Sequence, residues 1–261
     1  MVDDPLEILE LRRAIAGATA AEIRKIIDDR LPCVAPPSSG PEFDAWTWSL
    51  YDLGLAAETI PDPSTALGLY GRSIGYNRTT ELLRSAAFVR SGLCLEQLGR
   101  WTEAKSLYKQ ALPGSFGWPQ NRAILLWRLG RLQSAAEEPE QALSSFGQLL
   151  DLLPQEGISA QEVTLEWASC LQQTGQTQPA AEQLKALSEQ AHPLAVEALV
   201  RLSSLLLQQG ESEAACRALE RVVTHPMADP ATRSAANLRL DQLQTLRPSG
   251  LRANLSRTEA L

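Results

Sequence analysis

Gly54, Gly92 and Gly130 stand 38 residues apart, and Ala168 follows at the same interval. A second series in the same step reads Ala66, Ala104, Ala142 and Ala180, and four residues beyond each of these come Tyr70, Tyr108, Phe146 and Leu184. A fifth unit returns after 35 residues, with Ser203, Leu206, Gly210, Ala215 and Leu219. A fixed period of this size marks a supersecondary unit that cannot bury its apolar face alone and must stack on its neighbours. Small residues at two fixed points let two helices approach closely. The bulky residue one turn after the second small one lies on the same face and fills the gap beside it.

Helix starts are signalled independently of the period. Pro5, Pro63, Pro119, Pro139, Pro179, Pro193 and Pro230 stand where a proline fits a first helical turn, because its missing N–H has no partner there in any case. Asp4, Asp62 and Asp229 precede three of them as N-caps, and Thr19/Glu22 and Ser159/Glu162 have capping-box spacing. Together these signals predict helices at 5–16, 20–31, 42–59, 63–74, 79–98, 101–112, 119–134, 139–151, 159–174, 178–190, 193–209, 211–224 and 230–246.

The segment from Phe88 to Ala111, FVRSGLCLEQLGRWTEAKSLYKQA, holds Gly92, Leu95, a turn at Gly99-Arg100, then Ala104, Tyr108 and Ala111. This pattern resembles the tetratricopeptide repeat, and the likeness covers roughly residues 43–226. The resemblance implies an all-α fold, a right-handed α-solenoid of helix-turn-helix repeats, with N-terminal helices and a C-terminal capping helix. The family period is about 34, and here the extra residues fall between hairpins, in GYNRTT (75–80), PGSFGWPQ (113–120) and PQEGISAQ (154–161). The chain is accordingly divided into an N-terminal helical segment (1–31), a Pro/Ser/Gly linker (32–42), the repeat array (43–229), a capping helix (230–246) and a tail (247–261) expected to be disordered. The cap is expected to turn Ala236, Leu240 and Leu243 inward and Arg233, Asp241 and Gln244 outward.

A hydrophobic share of 44% supports a buried core, while a net charge of −7 argues against a nucleic-acid partner. The arginine bias, twenty against four lysines, is what a GC-rich bacterial genome produces. No stretch is long and apolar enough for a membrane span or a secretory leader, so a cytoplasmic protein is expected. Cys33, Cys94, Cys170 and Cys216 are too dispersed for a zinc site or a disulfide framework.

Catalytic chemistry has no foothold in these residues. The two histidines, His192 and His225, precede prolines in equivalent turns and read as turn residues. The glycine-rich stretch GLYGRSIG (68–75) lacks the lysine and hydroxyl of a phosphate loop and lies within a predicted helix. Neither a cofactor, a metal nor a catalytic residue is assigned, and the chain is read as a non-enzyme.

The resemblance implies that the first helix of each hairpin lines a partner-binding groove. It places Tyr51, Val89, Trp127, Leu165 and Val200 on the wall, with Leu55, Leu93, Arg131, Ser169 and Ser204 one turn on, and Arg90, Arg128 and Arg201 along an edge. The partner-binding residues expected from this are Tyr51, Arg90, Trp127, Arg128, Arg131 and Arg201 in the groove, with Phe116 and Trp118 in the 113–120 loop. Such a surface suits a protein or peptide segment with apolar anchors and some acidic residues. The function implied is a scaffold or adaptor, an assembly factor within a multiprotein complex. A permanent structural subunit and a small-ligand sensor or enzyme on a solenoid frame are the alternatives.

Overall fold

A computed structural model of the chain describes residues 18–30, 41–59, 63–75, 80–115, 119–155 and 157–245, with Glu10, Arg13, Ala14 and Gly117 beside them. Twelve α-helices carry these residues: α1 (Ala20–Arg30), α2 (Pro41–Ala57), α3 (Pro63–Ile74), α4 (Glu81–Gln97), α5 (Trp101–Ala111), α6 (Pro119–Ala135), α7 (Pro139–Leu150), α8 (Ala160–Gln173), α9 (Thr177–Ser188), α10 (Leu194–Gln208), α11 (Ser212–Thr224) and α12 (Pro230–Thr245). The expected all-α solenoid of helix-turn-helix repeats is the fold observed. The helix predicted at 5–16 lies almost wholly outside the described residues, as do the linker, the tail and Cys33.

The starts follow the local chemistry. Pro63, Pro119, Pro139 and Pro230 are each the first residue of their helices. Thr19 and Glu22 form the reciprocal capping box: the Thr19 N–H donates to Glu22 Oε2 at 2.8 Å, and the Glu22 N–H to Thr19 Oγ1 at 3.4 Å. Ser159 Oγ accepts from the Glu162 N–H at 3.2 Å, and Asp229 Oδ1 from the Thr232 N–H at 2.9 Å.

Three hairpin turns share one C-terminal device. Gly99, Gly175 and Gly210 adopt φ of 72°, 77° and 81°. Each lets the following N–H reach back to a helix carbonyl: Arg100 to Leu95, Gln176 to Leu171 and Glu211 to Leu206, all at 2.8 Å. At the same register Glu137 takes φ 57° without being glycine.

The helices pack into two compact units, Met1–Glu137 and Glu138–Leu261. In the first, Ile23 and Ile27 of α1 join Trp46, Leu50 and Leu53 of α2, Leu69 and Tyr70 of α3, and Ala87 and Cys94 of α4 in one core. α1 therefore covers the first hairpin, and Trp46 beneath it is buried. α4 also supplies Val89 and Leu95 to the next cluster, with Ala104 and Tyr108 of α5 and Leu125 and Leu129 of α6. In the second unit Ala168 and Leu171 of α8, Ala180 and Leu184 of α9, and Leu202 and Leu205 of α10 form one cluster. Leu199 of α10, Leu219 and Val222 of α11, and Ala236 and Leu240 of α12 form the other. A helix that serves two clusters is what hairpin stacking demands. In α12 the inward residues are as expected, but Arg233 is half-buried and donates to the His225 carbonyl at 2.9 Å instead of pointing outward.

The repeating glycine is explained by distance. A Cβ on Gly54 would lie 2.4 Å from Tyr70 Cε1, and one on Gly92 2.2 Å from Tyr108 Cε1. Both rings are fully buried, so neither can swing aside. Gly68 on α3, in contrast, faces open space. Gly92→Ala is expected to lower stability by about 1–3 kcal/mol through overpacking, and Gly68→Ala to raise it by about 0.5–1 kcal/mol through helix propensity. Urea unfolding of the two variants beside the wild type checks both signs.

Candidate functional site

In the N-terminal unit the first-helix face is organised by carboxylates. Glu58, just past the end of α2, accepts a hydrogen bond from the Tyr70 hydroxyl at 2.6 Å on Oε1 and one from Arg90 Nη1 at 3.1 Å on Oε2. One period on, Glu96 of α4 accepts from the Tyr108 hydroxyl at 2.6 Å and from Arg128 Nη1 at 3.1 Å. The rings that fill the glycine notches thus end on carboxylates, and each carboxylate is clamped by an arginine from the next first helix. Burial, then the hydrogen bond to its glutamate, pushes each tyrosine hydroxyl well above the ordinary tyrosine range. Burial likewise raises the Cys94 thiol to about 11.

This network could have been found in the sequence. Glu58 and Glu96, like Arg90 and Arg128, keep the same step of 38 as the glycines. At the next step the three positions carry Ser134, Phe146 and Glu166, so the chemistry lapses there.

The arginines expected along the edge are each paired within the chain. Arg90 and Arg128 are bound to Glu58 and Glu96, and Arg201 to Glu197 at 2.6 Å and to the Ser169 hydroxyl. Tyr51 is half-buried, its ring 5.5 Å from that of Tyr70 and 5.8 Å from that of Trp48. Half-buried Trp127 carries the Arg131 guanidinium over its ring at 5.7 Å, while the rest of Arg131 is exposed. Tyr51 and Arg90 thus belong to one cluster, and Trp127, Arg128 and Arg131 to one stretch of α6. Val89 and Leu165, expected on the wall, are core residues, because neighbouring first helices pack side by side over them. Phe116 and Trp118 lie outside the described residues.

The first-helix side of the C-terminal unit carries an open groove. A groove of about 650 Å³ runs between α10 and α12, with Val196, Val200, Leu207, Met227 and Ala235 among its lining. Val200 is 36% and Met227 51% exposed. Glu197, Asp229 and Arg239 supply its charges. Sequence reasoning placed Val200 and Ser204 here but missed Met227 and Asp229, which arrive from the α11–α12 turn. That turn is set by His225, whose Nδ1 accepts the Met227 N–H at 3.2 Å, and His192 does the same for Leu194 at 3.2 Å. Among the described residues no three His, Cys, Asp or Glu side chains are grouped to hold a metal ion, and no helix is long and apolar enough to cross a membrane.

The sequence pattern of the tetratricopeptide repeat matches residues 83–155 and again residues 165–231, together more than half of the chain. The chain belongs to the tetratricopeptide repeat family. No curated protein matches it by sequence. Among solved structures it is similar to YrrB, described as a TPR protein with an unusual peptide-binding site, at 17% identity and TM-score 0.61, over 84% of this chain and 100% of that one. It is also similar to the apo form of RapI, at 12% identity and TM-score 0.62, over 91% of this chain and 69% of that one. MamA from Desulfovibrio magneticus RS-1 superposes at 12% identity and TM-score 0.54, over 76% of this chain and 96% of that one. These likenesses concern the fold.

Tetratricopeptide proteins generally mediate protein–protein contacts, and the first-helix face is the surface at issue here. Its charge pattern in the N-terminal unit is structural, and that yields a pH dependence. An unfolded tyrosine ionises near 10.0, whereas Tyr70 and Tyr108 are held protonated in the fold. Their stabilising contribution is therefore complete below pH 10 and lost as pH rises above it, at up to about 1.4 kcal/mol per pH unit for each tyrosine. Melting temperature followed from pH 7 upward should fall steeply beyond pH ~10. The double variant Tyr70→Phe/Tyr108→Phe should show a flatter decline.

Proposed function

We propose that the chain is a non-catalytic adaptor of the cytoplasm, an assembly factor that holds an apolar segment of a partner protein on its first-helix face. The groove between α10 and α12 is its principal seat, and the Trp127–Arg131 surface of α6 is the corresponding contact of the N-terminal unit. The observation that carries this reading is the groove itself: about 650 Å³, floored by aliphatic side chains, with Val200 and Met227 open at its mouth. That size lies within the range of ligand clefts and takes several apolar anchors of a helical or extended segment.

The charges at the groove support recognition by apolar contact with a modest polar rim. Glu197 is held by Arg201, and the Asp229 carboxylate is engaged with Thr232 at the start of α12. Arg239 is the cation of the rim. An acidic residue on the partner would meet Arg239, and the paired arginines of the other first helices would contribute little. Family membership supports a protein partner, and the peptide-binding site ascribed to YrrB is a precedent on the same fold.

Val200→Glu/Met227→Glu places carboxylates at the mouth of the apolar seat. Both positions are exposed, so the variant should keep the wild-type melting temperature. It should lose the partners that wild type retains in affinity capture from native lysate, with affinity for an identified partner peptide at least about tenfold weaker. Retention of every partner by the folded variant would remove the groove from the mechanism. Capture lost only with Trp127→Ala would move the seat to α6.

A further inference from the structure

A second groove, of about 610 Å³, opens on the second-helix side of the C-terminal unit, between α9 and α11. Its apolar lining is Leu202 and Leu206 of α10 with Ala181, Ala214 and Ala218, and its charged lining is Glu182, Lys185, Glu211, Arg217 and Arg221. α9 and α11 each pair with α10 through short connections, so both run antiparallel to it and parallel to each other. Glu211 stands at the start of α11, Glu182 and Arg217 stand midway along α9 and α11, and Lys185 and Arg221 follow toward the C-terminal ends. The carboxylates thus run from one end of the groove to its middle, and the cations from its middle to the other end.

These cations differ from the three arginines expected along the first-helix edge. Arg90, Arg128 and Arg201 are each answered by a carboxylate. Lys185 and Arg217 form no ion pair with any described residue, and Arg221 donates only to the Ser188 carbonyl, at 3.1 Å. In a chain of net charge −7 this is a local basic site beside an apolar floor. Arg217 and Arg221 are one helical turn apart and present their guanidinium groups on one face. Guanidinium groups so placed are the partners that carboxylates pair with most strongly.

We infer that the α9–α11 groove is a second docking site, for an acidic segment of a partner protein. Apolar side chains of that segment lie on Leu202 and Leu206, and its carboxylates meet Lys185, Arg217 and Arg221. The occupant differs in chemistry from that of the α10–α12 groove and reaches the unit from its other side. One repeat unit then holds two segments at once, which is how an adaptor joins two proteins. The inference stands on its own lining residues and does not require the α10–α12 reading.

The test is selection of a randomised, displayed dodecapeptide library on the full-length chain, with counter-selection on Lys185→Glu/Arg217→Glu. Both replaced residues are exposed, and an unchanged melting temperature establishes that the variant is folded. Enriched peptides are expected to combine clustered Asp or Glu with apolar residues. Their affinity should fall at least tenfold in Lys185→Glu/Arg217→Glu, fall with added salt, and persist in Val200→Glu/Met227→Glu. Peptides without an acidic bias, or equal binding to the charge-reversed variant, would overturn the inference. So would enrichment of nothing above the variant, or equal displacement by heparin, which would mark a site for any polyanion. Loss in Val200→Glu/Met227→Glu alone would assign the peptides to the other groove and overturn it too.

Discussion

Where a methyl group would otherwise sit, Tyr70 and Tyr108 press their rings against the backbone of Gly54 and Gly92. That contact fixes how near the two helices of a hairpin come, and the rest of the unit is built outward from it. The ring fills the notch, its hydroxyl reaches the end of the first helix, and a glutamate there receives it. An arginine of the next first helix closes on the same glutamate and sets the neighbour's register. A buried hydroxyl without a partner costs about 1–3 kcal/mol, so the notch, the ring and the carboxylate succeed or fail together.

The same arrangement bears on function by subtraction. Arg90, Arg128 and Arg201 on the first-helix face look like ligands for an acidic partner, but each is engaged by a glutamate of the chain itself. In the C-terminal unit the groove around Val200 and Met227 is aliphatic with Arg239 at its rim, and Lys185 and Arg217, which pair with no described carboxylate, line the groove on the other side of the hairpins.

Much of the architecture was legible because helix ends and packing positions are local or periodic. Pro63, Pro119, Pro139 and Pro230 mark helix starts through backbone chemistry, and the glycine, alanine and bulky series declare the hairpin interface. The Glu–Tyr–Arg network escaped because a reading built on apolar and small residues treats a periodic glutamate as solvated surface. Its partners lie 12 and 32 residues away and meet only when two hairpins have stacked. Val89 and Leu165 were placed on the wall by analogy with position and proved to be core, since exposure on a first helix depends on its neighbours. Met227 and Asp229 were missed for a related reason: the α11–α12 turn reads in sequence as a connector, and only tertiary packing brings it to the groove.

The bridging glutamates also give the repeats individuality. Residues spanning one period around Gly92 hold an arginine that answers the preceding carboxylate and a carboxylate that awaits the following arginine. Such a segment could be duplicated in place between the first hairpins with its polar couplings intact, since donor and acceptor recur at the same step. The later repeats have exchanged that connector for Ser134, Phe146 and Glu166, so a module moved from one half of the chain to the other would arrive with unmatched ends.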